Sequence, residues 1–221
     1  MCCKRDTGCF HSNTLICMEG GIQKGVADVQ AGDHVQCDFQ VPPTTATVVF
    51  VLKISSEEDV NLAQLGEHTW LTLWHPVKDC NSPHNSFAFP NDIATTYHTL
   101  QCNPTILYNF VLSENHSVIS GEYQCVTLGH CIENDPVATH SFFGTSNVIR
   151  ALAALPEYTS GSVHFDSCPF LRSAQDETVC NLDASTKRAL PTPQPPIHSS
   201  NCKQKSSFQV TTHRIKDAVQ V

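Results

Sequence analysis

The apolar residues of this chain recur mostly at every second position, and that period commits most of its length to strands rather than helices. The run Thr47-Val48-Val49-Phe50-Val51-Leu52-Lys53-Ile54 is rich in β-branched and large apolar residues and predicts a buried strand. Thr14-Leu15-Ile16-Cys17 followed by Glu19-Gly20-Gly21 predicts a strand entering a hairpin. Gly32-Asp33 after Val26-Ala27-Asp28-Val29 marks a bend between strands. Thr69-Trp70-Leu71-Thr72-Leu73-Trp74-His75-Pro76-Val77 alternates well, with Pro76 ending a strand or sitting on an edge. Leu107–Leu112 and Ser117–Ile119 bracket a tight turn. The fold class expected is all-β.

One segment reads clearly as helix. Thr145 or Ser146 can cap it, and Val148, Ile149, Leu152 and Leu155 share a face before Pro156 stops it. Beyond Asp166 the composition turns to Ser, Thr, Gln and Pro, culminating in Pro191-Thr192-Pro193-Gln194-Pro195-Pro196. Such a stretch buries too little apolar surface to offset the entropy of ordering, so a disordered tail is expected, with Phe208–Thr212 as a late strand.

Composition closes off several functions. The chain has 221 residues, 40% of them hydrophobic, enough for one domain with appendages. A formal charge of −8 with only 13 Lys and Arg and no basic cluster leaves no footprint for a phosphate backbone, so nucleic acid is not an expected partner. No run of about twenty apolar residues offers a membrane span. Twelve cysteines raise the question of disulfides, but Met1-Cys2-Cys3-Lys4-Arg5-Asp6 lacks the apolar core of a signal peptide. An intracellular, cytoplasmic and reduced protein is therefore expected. Cys2-Cys3 are adjacent, and Cys125 and Cys131 are too far apart for a knuckle, so neither metal nor any other cofactor is expected.

The chemistry with a recognisable pattern lies near the amino end. Cys9 follows Gly8 at the edge of a predicted strand, and its thiol can attack the Gly8 carbonyl to exchange an amide for a thioester. That step needs a proton donor for the departing amine. His75, three residues after Thr72, is the candidate acid, and Thr72 the residue that would hold the Gly8 carbonyl or orient the imidazole. Each has a plainer reading: Cys9 as a small buried hydrophobe, His75 as a strand-end histidine satisfied by a carbonyl, Thr72 as ordinary strand composition. His130 and His140 read as structural or exposed, and Phe142-Phe143 as core.

Four blocks taken in order carry a resemblance. They are Cys9-Phe10 with Thr14, Val26 to Val35 ending in Gly32-Asp33-His34-Val35, Thr72-Leu73-Trp74-His75-Pro76, and Tyr108–Leu112 with His116. Together they resemble the Hint superfamily of hedgehog autoprocessing domains and inteins, and within it the domains found beside von Willebrand A-type domains. Thr127-Leu128-Gly129-His130 and Ser141-Phe142-Phe143-Gly144-Thr145 look like the extension of that subgroup.

The resemblance implies a horseshoe-like Hint fold with pseudo-twofold symmetry at residues 9–132. The remaining expected divisions are a flank at 1–8 that includes the cleavage site Gly8, an extension with a short helix at 133–165, a low-complexity linker at 166–207 and a C-terminal segment at 208–221. It further implies an N-to-S acyl shift at Gly8–Cys9 through Cys9, Thr72 and His75, with His116 assisting a second step. The substrate would be the domain's own upstream polypeptide, an upstream von Willebrand A-type domain among the candidates, and the chain itself a fragment of a longer protein. Water or a small nucleophile would release it.

Two departures from inteins bear on the outcome. Gly121-Glu122-Tyr123-Gln124-Cys125-Val126 offers no asparagine to cyclise, so full splicing is not expected; and Asn109 replaces the usual aspartate. The alternative is a catalytically degenerate Hint fold kept as a protein-interaction module. A papain-like hydrolase would want a helix beneath its cysteine, where strand signals follow Cys9.

Overall fold

The computed structural model describes residues 8–83, 86–100 and 105–188. Its strands follow the period-two pattern: β1 (Phe10–His11), β2 (Leu15–Cys17), β3 (Gln23–Gly25), β4 (His34–Gln36), β5 (Thr45–Ser56), β6 (Val60–Leu65), β7 (Thr69–Thr72) and β8 (Val77–Asp79). After a single helical turn, α1 (Pro90–Ile93), come β9 (Thr96–Leu100), β10 (Thr105–Leu112), β11 (Ser117–Ser120) and β12 (Tyr123–Val126). Helix α2 (Ser146–Ala153) then precedes β13 (Ser162–Phe165), β14 (Phe170–Arg172) and β15 (Val179–Leu182).

Among the described residues the largest sheet runs β13-β5-β10-β1-β7-β6-β9, with β4 also paired to β5. The long β5/β10 ladder at its centre buries both faces. Leu52, Ile54, Leu107 and Val111 join one apolar cluster, while Val51, Tyr108, Phe110 and Leu112 join another. A strand covered on both sides reads as a nearly continuous apolar run, which is how Thr47–Ile54 reads in the sequence. Each fully buried Phe or Leu on this ladder contributes on the order of 1.5–3 kcal/mol. β1, only two residues long, is held between β10 and β7, with Phe10 opposite both Tyr108 and Leu71. Carried one residue back, that register sets Cys9 between Asn109 and Thr72.

The β2–β3 hairpin turns through Glu19–Gly21, where Gly20 and Gly21 both take a φ of 80° that side chains rarely tolerate. Helix α2 is capped by Thr145, whose hydroxyl accepts from the Asn147 amide, and it buries Val148 and Leu152. That matches the expected cap and face. The α1 turn was not expected.

Two expectations need correction. The strand read through Thr69–Val77 ends at Thr72; the chain turns at Leu73–Trp74, with the His75 amide bonded to the Thr72 carbonyl, and β8 resumes at Val77. Residues 166–188, expected as the start of a linker, instead contain the β14–β15 hairpin, anchored by fully buried Val179 and by Phe170 edge-on to Phe143. Just before it, β13 runs parallel to β5, inserting Val163 and Phe165 into the core. Residues 189–221, where the proline-rich run and the Phe208–Thr212 strand were placed, lie outside the described residues.

Candidate active site at the Gly8–Cys9 link

The peptide between Gly8 and Cys9 is gripped from three directions. On the β7 side, the Cys9 amide donates to Thr72 Oγ1 at 2.9 Å, and the Thr72 amide donates to the Cys9 carbonyl at 3.0 Å. From β10, Asn109 Nδ2 donates to the Gly8 carbonyl oxygen at 2.7 Å. The other end of that amide settles its orientation, because Asn109 Oδ1 accepts from the Phe110 amide at 2.8 Å, leaving the nitrogen toward Gly8. The third contact is His75. A Cβ added to Gly8 would lie 3.0 Å from His75 Cα and 3.1 Å from its Nδ1, so only glycine lets the imidazole press this close to the link.

His75 is fully buried and edge-on to Phe10, with ring centroids 4.5 Å apart. Its Nε2 lies 2.9 Å from the Val126 carbonyl. A carbonyl can only accept, so Nε2 carries the proton and Nδ1 is a bare lone pair. Nδ1 is itself buried with no partner in hydrogen-bond geometry. Burial pushes the ring's pKa down to about 4; the Val126 carbonyl and the Cys9 backbone oppose that shift, and His130 adds to it. At neutral pH the imidazole is uncharged and presents a base, not the acid expected from sequence, toward Gly8.

The residues expected from sequence are thus brought together in part. Gly8, Cys9, Thr72 and His75 converge. Thr72, however, takes the Cys9 amide rather than the Gly8 carbonyl. His116 is not on the wall of the adjoining cavity. It sits in a left-handed turn with φ 39°, its pKa lowered by burial, and close enough to His130 to disfavour a charge there.

Asn109 was missed, having been read only as a lost carboxylate. His130 and His140 were read from sequence only as structural or exposed residues, His130 also as part of the Thr127–His130 block. Both line a cavity of about 180 Å³ that opens onto Gly8, His75 and Asn109. His130 Nδ1 accepts from the Ile132 amide and His140 Nδ1 from the Phe142 and Phe143 amides, so each neutral ring carries its proton on Nε2. Burial, then His116 and His140, hold the His130 pKa down at about 4. Among the described residues no group of three or more His, Cys, Asp or Glu is placed to hold a metal ion, and no helix is long and apolar enough to cross a membrane. Cys37 and Cys125 are buried in the core, whereas Cys80, Cys131 and Cys180 are exposed.

Comparison with curated proteins finds no match. Among solved structures, the chain is similar to a bacterial intein-like domain from Clostridium thermocellum, at 15% identity and a TM-score of 0.44, over 55% of this chain and 99% of that one. It is also similar to a DnaB intein from Synechocystis sp. PCC 6803, at 12% identity and a TM-score of 0.35, with the same coverage. The model of the Vint family, described as a Hint-domain, matches residues 8–181, from the glycine of the gripped link to the β15 strand. With most of its length matched in this way, the chain belongs to the Vint family of Hint domains, whose fold is that of autoprocessing proteins.

Proposed function

We propose that this domain performs an N-to-S acyl shift at Gly8–Cys9 and then passes the Gly8 end to water or a small external nucleophile, without splicing. The observation that carries the proposal is the three-way hold on one peptide: Asn109 on its carbonyl oxygen, Thr72 on its N–H, and a bare, buried imidazole nitrogen against Gly8.

Each contact suits one part of the reaction. His75 Nδ1 takes the Cys9 thiol proton, and the thiolate attacks the Gly8 carbonyl carbon. Negative charge then develops on the oxygen that Asn109 Nδ2–H already contacts, and a donor in a water-poor site stabilises that charge without reorganising. The protonated Nδ1 returns its proton to the Cys9 nitrogen as the C–N bond breaks, leaving a thioester and a free α-amine. A base that becomes an acid within one turnover needs a lone pair at rest, which is the tautomer that the Val126 carbonyl enforces. Positioned proton transfer of this kind contributes roughly 10²–10⁴-fold. Splicing is left out because the stretch Gly121-Glu122-Tyr123-Gln124-Cys125-Val126, which holds β12, supplies no asparagine to cyclise.

The test is a reporter fused ahead of Gly8 in the full chain, followed on gels with and without hydroxylamine or dithiothreitol. Release that disappears in Cys9→Ala and drops steeply in His75→Ala supports the acyl shift. Wild type that stays whole under both reagents, indistinguishable from Cys9→Ala, means a degenerate module.

A further inference from the structure

The cavity beside the scissile link carries one hydrogen-bond donor that the fold leaves unused. His130 lines it together with Gly8, His75 and Asn109, and it sits in the loop that follows β12. That loop is pinned on both sides of the residue. The Gly129 and Cys131 amides donate to the carbonyls of Phe143 and Gly144 at 2.7 and 2.8 Å. The ring is fixed with the loop. Its Nδ1 accepts the Ile132 amide at 3.1 Å, and a Cβ at Gly144 would lie 3.0 Å from its Cε1, so both of those ring atoms face protein. What remains is the edge formed by Nε2–H and Cδ2.

That edge is open. Nε2 finds no acceptor among the described residues, yet the side-chain atoms that are both sealed and unpaired, His75 Nδ1 among them, do not include it. His130 as a residue is half-buried, where His75 is fully buried. The ring is also close enough to His75 to disfavour a charge there, and His75 in turn presses on Gly8.

We propose that His130 is a second oxyanion donor, its Nε2–H meeting the Gly8 oxygen from the cavity as charge builds there, while Asn109 Nδ2–H holds the same oxygen from β10. The proposal rests on the acyl shift argued above and adds a residue to it. The oxygen has room for a second donor. A carbonyl oxygen carries two lone pairs, and among the described residues only Asn109 donates to it at rest. The tautomer decides the role. With the Nδ1 lone pair committed to the Ile132 amide, His130 cannot collect a proton from a nucleophile, so it is a donor and not a base. A neutral imidazole N–H can stabilise a developing oxyanion without giving up its proton. Neutral is the form present at pH 7. Burial, then His116 and His140, hold the ring's pKa at about 4, and no Asp or Glu among the described residues lines the cavity to oppose them. The proton stays on Nε2 throughout, and no covalent step is added.

The experiment uses the full chain with a reporter ahead of Gly8, at hydroxylamine concentrations where release no longer accelerates and the acyl shift sets the rate. His130→Gln keeps an N–H near the position of Nε2, whereas His130→Met has similar length and no donor. Neither residue titrates, and both remove the imidazole nitrogen that accepts from the Ile132 amide, so a purely structural role slows the two alike. A donor role predicts that Met lowers the rate by about 10²–10³-fold, while Gln stays within about tenfold of wild type. Equal rates for Gln and Met, at either level, overturn the donor while the acyl shift stands. No release from wild type overturns both. Independently of the chemistry, nitrogen NMR of Cys9→Ala should show the His130 ring protonated on Nε2 alone between pH 6 and 8. A proton on Nδ1, or a charged ring at pH 6, overturns the donor.

Discussion

Asn109→Asp separates the oxyanion role of this residue from every structural one. The replacement is isosteric and keeps an oxygen to accept the Phe110 amide, now 2.8 Å from Oδ1, so the β10 backbone is undisturbed. What changes is the atom 2.7 Å from the Gly8 carbonyl oxygen, which turns from an N–H donor into a carboxylate oxygen. Two acceptors then face each other at a position that is only 5% exposed, and the charge that develops during attack is repelled instead of bound. Removing one donor of this kind costs about 10²–10³ in rate, or about 2.7–4 kcal/mol. The pH profile adds a second signature. Burial raises the pKa of a carboxyl, and the protonated acid regains an O–H donor. The variant should therefore recover rate as pH falls, while the wild type does not. The assay is hydroxylamine-trapped release of an upstream reporter between pH 5 and 8. A variant as fast as wild type at pH 7, with no rise toward acid, refutes the assignment.

The remaining expectations concern the groups packed around the link. Gly8→Ala puts a methyl 3.0 Å from His75 Cα, on backbone that cannot easily yield; release should slow at least tenfold, with about 1–3 kcal/mol lost to overpacking, read by the same assay and by urea unfolding. His75 gives a signed pH effect on stability. The unfolded ring takes a proton below 6.5, whereas the folded ring resists one until about 4. Its contribution is therefore intact above pH 6.5 and is lost as pH falls from 6.5 to 4, by about 3 kcal/mol; His75→Gln should flatten the acid loss of unfolding free energy by that amount. The reaction itself should show no His75 inflection near pH 6.5. Gly144→Ala sets a Cβ 2.7 Å from the His140 carbonyl and 3.0 Å from His130 Cε1. It should cost about 1–3 kcal/mol in a thermal melt and shift the His130 ring resonances.

What could be read in the sequence was local. The β5 ladder, the Glu19–Gly21 turn, the Thr145 cap and the burial of Phe142 and Phe143 all follow from period, turn residues or capping chemistry within a few positions. Cys9, Thr72 and His75 were legible because their types and order match a family pattern. The misses depend on partners far along the chain. Asn109 looks like any polar residue inside a strand until the β1 register brings Gly8 beside it, 101 positions away. The hairpin of residues 170–182 carries the polar turn Ser173-Ala174-Gln175-Asp176-Glu177-Thr178, and its ordering comes from Phe143 and the core cluster rather than from its own composition. His75 was taken as an acid on chemical need alone. Its tautomer and low basicity follow from the Val126 carbonyl and from burial, neither of which has a signature in residues 72–76.

The most direct measurement is intact-mass analysis of the full chain with an upstream reporter after treatment with hydroxylamine at neutral pH. The expected result is one fragment ending in a Gly8 hydroxamate and another beginning at Cys9, both absent from Cys9→Ala. A wild-type chain that remains a single species, with the Gly8–Cys9 bond uncut after prolonged treatment, would contradict the proposed acyl shift.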